Sequence, residues 1–134
     1  MKKIVLIFLL MVSVKSMAQP DTRIVLHLQS SDTLVHKSIV NQIGNIKKAL
    51  PGSEIELVCH GPGLDFLLKE KSTYINRLEK MHLQRVSYVG CEYTMSQKKI
   101  KREELVDIAS TVPYGIVEII KRQQEGWAYV KLGF

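Results

Sequence analysis

Beyond residue 18 this chain lacks the groupings on which most recognisable enzyme chemistry rests. There is no Ser/His/Asp signature, no Walker phosphate loop and no G-x-G-x-x-G turn, which removes triad hydrolysis, P-loop chemistry and dinucleotide binding by those routes. Its four histidines, His27, His36, His60 and His82, keep no metal-ligand spacing with one another or with the cysteines, so no metal site and no cofactor are read. Only two cysteines, Cys59 and Cys91, are present, too few for a disulfide scaffold. No internal repeat, low-complexity tract or linker divides the chain, so one domain is expected. The apolar run Ile4–Val14 is closed by Lys15, well short of the about 20 residues a spanning helix needs.

What is there begins with an export signal. Lys2 and Lys3, the apolar run and the small residues Ser16 and Ala18 are the three parts of a secretory leader. Residues 1–18 are therefore read as a cleaved signal peptide and residues 19–134 as a periplasmic or secreted domain with no membrane span. The formal charge of +6 falls to +3 once Lys2, Lys3 and Lys15 are set aside. Most of that excess sits in Lys98-Lys99-Ile100-Lys101-Arg102, a solvated face rather than a nucleic-acid site. Export also places the two cysteines where a disulfide persists, so a Cys59–Cys91 bridge stands beside a free thiol as a reading.

Apolar periodicity then alternates between short strands and longer helical stripes, the pattern of a parallel sheet with crossover helices. Strands are expected at Arg23–Leu28, Glu54–Cys59, Val86–Gly90, Ile108–Val112 and Trp127–Lys131. Val35, Ile39, Ile43, Ile46 and Leu50 mark the first helix, with Ser30, Ser31 and Asp32 as candidate N-caps. A short helix at Leu64–Leu68, one over Thr73–His82, short pieces within Glu92–Glu104 and a helix after Pro113 carrying Ile116, Ile119, Ile120 and Gln123 complete the set. Ligands of open parallel sheets bind beyond the carboxyl ends of the strands. Cys59, His60, Gly61 and Gly63 fall there from the second strand, Cys91 from the third, and Tyr114 and Gly115 from the fourth. Cys91 faces a possible helix start, where backbone dipoles favour thiolate; the competing reading is a buried cysteine serving as a small hydrophobe. Cys59, in phase with Ile55 and Leu57, reads as core, and the Gly61-Pro62-Gly63 turn offers backbone N–H groups to an anion or is only a tight turn.

The segments VCHGPGLDFLL (58–68), VGCEYTM (89–95) and VPYGIVEIIKRQQEGWAYVKLG (112–133), with NIKKALPGSEIEL between the first helix and the second strand, resemble the DsrE/DsrF-like family, specifically its small single-domain branch. The resemblance implies a three-layer α/β/α sandwich around a mainly parallel five-stranded sheet, assembled as a trimer or hexamer. It also implies persulfide carriage on a cysteine after the third strand, the place of Cys91, with a sulfur donor or acceptor protein as partner. Two features depart from the sulfur-relay members: Glu92-Tyr93-Thr94-Met95 follows the cysteine, and the leader removes the chain from cytoplasmic partners. The expected function is therefore an exported protein whose Cys91 carries sulfur or exchanges thiols, in a pocket shaped by His60, Gly61, Gly63, Tyr114 and Gly115. The alternative is a non-catalytic oligomeric binding module with Cys91 only lining the pocket.

Overall fold

The structure, a computed structural model, describes residues 21–133. The leader read at residues 1–18 lies outside the described residues. Five strands, β1 (Arg23–Leu28), β2 (Glu54–Cys59), β3 (Val86–Cys91), β4 (Ala109–Val112) and β5 (Ala128–Leu132), form one sheet in the order β4-β3-β2-β1-β5. Every pairing is parallel, which sharpens the expectation of a mainly parallel sheet.

The helices are α1 (Thr33–Ala49), α2 (Ile75–His82), α3 (Glu92–Lys98) and α4 (Gly115–Gln124). Asp32 caps α1, its carboxylate accepting from the Leu34 N–H at 2.8 Å, while Lys47 and Lys48 in the last turn complement the helix dipole. The stretch Gly61–Leu67 is a 3-10 turn that begins earlier than the expected helix, because Pro62 sits in its first turn and fixes φ there.

From β1 through β4 the chain steps steadily toward one edge, and α1, the 3-10 turn and α2 cover the face it passes over. The step from β4 back to β5, on the far side of β1, runs in the opposite direction. A right-handed crossover then places α4 on the other face. The larger core lies on the first face, where Leu26, Leu28, Ile55, Leu57, Cys59 and Tyr88 meet Val35, Ile39, Ile43, Phe66 and Leu78. On the second face Val25, Val58 and Val89 pack with Ile119, Trp127 and the partly buried Val112. The three layers are thus unequal. Of the expected stripe on α4 only Ile119 is buried, while Ile116 and Ile120 are about half exposed, because a single helix on a five-stranded face has no neighbour to cover its flanks.

Candidate functional site

Cys91 ends β3 and is the N-cap residue of α3. Its alternation places it on the α4 face of the sheet, whereas Cys59, paired in register with Gly90, lies in the core of the opposite face. Both are free thiols. The disulfide reading fails for this reason: the two side chains leave neighbouring strands on opposite sides of the sheet.

Burial alone pushes the Cys59 thiol far up, so it stays protonated. Cys91 is also buried, at 5% exposure. Burial pushes its thiol up as well, but the polar groups turned toward it, the Gly115 backbone, the Thr94 hydroxyl and backbone and the Tyr93 backbone, outweigh that rise. The net result lies below the ordinary cysteine value. Two cysteines one strand apart thus differ in chemistry because one is surrounded by side-chain hydrocarbon and the other by donors.

Three segments assemble this environment. The Tyr93 N–H donates to the Pro113 carbonyl at 3.1 Å, tying the start of α3 to the end of β4, and the Cys91 thiol lies 3.9 Å from that same carbonyl. Gly115 opens α4 at a crowded place: a Cβ there would stand 3.1 Å from the His60 Cβ, 3.2 Å from Val58 Cγ1 and 3.3 Å from the Cys91 Cβ, closer than ordinary van der Waals contact. Its bare backbone is what can approach the sulfur. Tyr93 and Tyr114, both exposed, stand beside it with ring centroids 5.9 Å apart.

The Gly61-Pro62-Gly63 turn does not present a free anion cradle. The Gly61 N–H donates to the Thr94 hydroxyl at 2.9 Å, the Gly63 N–H donates to the His60 carbonyl at 3.0 Å, and Pro62 has no donor. Gly63 is required for a different reason, since a Cβ there would fall 2.2 Å from the Leu28 carbonyl oxygen. The turn therefore packs against the end of β1 and, through Gly61, supports Thr94 beside the cysteine.

His60 adjoins Gly115 through its Cβ, but its ring engages β1. The Nε2 atoms of His60 and His27 are 2.6 Å apart, and His27 Nδ1 is 2.8 Å from the Tyr129 hydroxyl. Burial, with the charges of His60 and Lys131, lowers the His27 value to about 4, and burial also lowers His60. This Tyr129–His27–His60 chain escaped the sequence reading because its members come from three segments. The only sequence signal was His27 falling out of phase with Leu26 and Leu28. Thr94 was missed likewise; its place three residues after an N-cap cysteine was the available clue. A groove of about 390 Å³ lined by Asp32, Val35, Ile39, Gln42, Lys131 and Leu132 opens beside α1 and β5, on the other side of the sheet from Cys91.

Fold and site together define a small all-parallel α/β protein with a hydrogen-bonded cysteine at the carboxyl end of an inner strand. The chain belongs to the DsrE/DsrF-like family, whose model matches residues 6–132. Among solved structures it is similar to the protein of unknown function MTH1491 from Methanobacterium thermoautotrophicum, at 26% identity and a TM-score of 0.78, over 83% of this chain and 99% of that one. None of the curated proteins matches.

Proposed function

We propose that the protein carries sulfur as a persulfide on Cys91, or exchanges thiols there, after export from the cytoplasm. The observation that supports this best is the contrast between the cysteines: donors from Gly115, Thr94 and Tyr93 favour the thiolate at Cys91, while burial alone holds Cys59 as a thiol. A thiolate is the nucleophile in every such reaction. Gly115 supplies backbone to the sulfur, Tyr114 and Tyr93 flank the approach, and His60, Gly61 and Gly63 hold the β2 turn against it.

Loading is a balanced displacement. The Cys91 thiolate attacks the terminal sulfur of a donor persulfide, a bond forms from Sγ to that sulfur, the donor's S–S bond breaks, and the donor leaves as a thiolate that takes a proton from water. Alkylation of the native protein at neutral pH tests the starting point. Cys91 should react first and Cys59 only after unfolding; equal resistance of the two would remove the proposal.

The second reading, a binding module that merely encloses Cys91, is favoured by that residue's 5% exposure. It predicts no persulfide on Cys91 under any donor. Export carries its own signature: protein recovered from the cell envelope should begin at Gln19, and a chain still carrying residues 1–18 in soluble form would count against it. Assembly as a trimer or hexamer fits the apolar side chains left open on α4, Ile116, Val117 and Ile120.

A further inference from the structure

Cys91 is one end of a row of polar side chains that crosses the sheet. Strand alternation puts Tyr129 of β5, His27 of β1, His60 just past β2 and Cys91 of β3 on the α4 side, from four neighbouring strands. Contacts join the first three: the Tyr129 hydroxyl lies 2.8 Å from His27 Nδ1, and His27 Nε2 lies 2.6 Å from His60 Nε2. Gly115 bridges the last step, where a single added Cβ would meet the Cβ atoms of both His60 and Cys91, at 3.1 and 3.3 Å. Nδ1 is the imidazole nitrogen nearer the Cβ. On His60 it therefore sits at the Gly115 end of the ring, and among the described residues no hydrogen bond occupies it.

Two nitrogens 2.6 Å apart have room for one hydrogen between them, and burial disfavours a charge on either ring, so each imidazole carries one proton. Two arrangements follow. In the first, the Tyr129 hydroxyl donates to His27 Nδ1, His27 Nε2 donates to His60 Nε2, and the remaining His60 proton stands on Nδ1. In the second every bond is reversed: His60 Nε2 donates to His27 Nε2, His27 Nδ1 donates to the Tyr129 oxygen, and His60 Nδ1 offers a lone pair. The two differ by one proton passed along the row. Its far end is in water, because Tyr129 is exposed, and its near end is at a buried thiol.

We propose that Tyr129, His27 and His60 form a proton relay serving Cys91, with His60 Nδ1 protonating the thiolate that leaves when Cys91 takes up sulfur or exchanges thiols. The relay rests on the reading of Cys91 given above. Its steps balance. As the Cys91 sulfur attacks, the electron pair of the breaking S–S bond goes to the leaving sulfur, which takes the proton from His60 Nδ1. His60 Nε2 takes the His27 proton, His27 Nδ1 takes the Tyr129 proton, and the Tyr129 oxygen takes one from water. The bond broken is replaced by the bond formed, so no further oxidant enters, and the proton still comes from water. A burial that keeps water from Cys91 is what gives such a path its use. Delivery runs the relay backwards, the free His60 Nδ1 lone pair receiving the proton of an incoming acceptor thiol.

Three reagents that differ in what leaves the sulfur test this, each followed at Cys91 by intact and peptide mass. Bis(hydroxyethyl) disulfide releases a basic alkyl thiolate that needs a proton, a dipyridyl disulfide releases a thiolate stable without one, and iodoacetamide releases iodide. His60→Gln should slow the alkyl disulfide by more than about tenfold and change the other two much less. Tyr129→Phe, at the exposed end where folding is not at stake, should give the same selective loss to a smaller degree. Cys59 staying unreactive shows each variant to be folded. A merely structural role for His60 would move all three reactions together. Equal changes with the three reagents, or no loss with the alkyl disulfide in either variant, would overturn the relay while leaving the thiol chemistry standing. Wild-type Cys91 inert to all three would instead overturn the thiol reading itself, and the relay with it.

Discussion

A Cβ placed on Gly115 would stand 3.3 Å from the Cys91 Cβ and 3.1 Å from the His60 Cβ, so the ends of β2 and β3 and the start of α4 meet more closely there than an ordinary side-chain contact allows. At an unconstrained helical position, replacing glycine by alanine stabilises by roughly 0.5–1 kcal/mol. Here Gly115→Ala should instead destabilise by about 1–3 kcal/mol through overpacking, and it should slow alkylation of Cys91 by moving the backbone donor off the sulfur. Urea denaturation and iodoacetamide kinetics read the two effects. A gain in stability with unchanged reactivity would refute this account of Gly115.

Glu56 is buried on the α4 face and accepts two hydrogen bonds from Arg122, at 3.0 and 2.8 Å, while the Arg122 guanidinium lies 4.9 Å from the centre of the Trp127 ring. Burial raises the Glu56 carboxyl above its ordinary value, and Arg122 only partly offsets that rise. The folded state therefore holds the Glu56 proton more tightly than the unfolded chain does. This contribution to stability is complete below the unfolded carboxyl value of about 4.3 and is lost as pH rises through the folded value. Arg122→Leu strands the carboxylate and should cost about 3–5 kcal/mol at pH 7. The cost should shrink at pH 4, where Glu56 takes a proton. Denaturation curves at the two pH values decide it, and a cost independent of pH would contradict the pairing.

His27 titrates in the other direction. Its folded value of about 4 lies below the ordinary histidine value, so the unfolded chain binds the proton more tightly. Its contribution to stability is complete above about 6.5 and is lost as pH falls from there toward the folded value. Stability should drop between pH 7 and 5, and His27→Gln should flatten that drop. An NMR titration showing His27 protonated at pH 6 would contradict its burial.

The uncovered flank of α4 leads to a prediction about assembly. Ile116, Val117 and Ile120 are exposed by 51, 41 and 48%, on the face that also leaves Tyr114 open. Light scattering should report a trimer or its multiple, and Ile116→Glu with Ile120→Glu should shift it to monomer without unfolding the domain. A wild-type monomer at micromolar concentration would contradict assembly through this face.

Much of the fold was legible because each strand announces itself by alternation or by an unbroken apolar run, as Glu54–Cys59 and Val86–Cys91 do. Helix α1 was legible from its stripe and its Asp32 cap. Cys91 was placed at the end of its strand by position alone. Its donors were not legible, because Thr94, Gly115 and Tyr93 come together only when α3 and α4 are docked on the sheet. The stripe Ile116–Ile120 misled for a related reason: periodicity shows that a face is apolar but not what covers it. The His27–His60 contact spans 33 residues, so neither local segment shows it, and the phase of His27 within β1 is its single local sign.

The measurement that bears most directly on the central claim is the intact mass of the protein after incubation with a low-molecular-weight persulfide, compared with Cys91→Ser and Cys59→Ala. The account predicts one added sulfur atom per chain on the native protein and on Cys59→Ala. That sulfur should be released by dithiothreitol and mapped by peptide mass to Cys91, with none added on folded Cys91→Ser. Wild-type protein that gains no sulfur, or Cys91→Ser that gains as much as wild type, would contradict it.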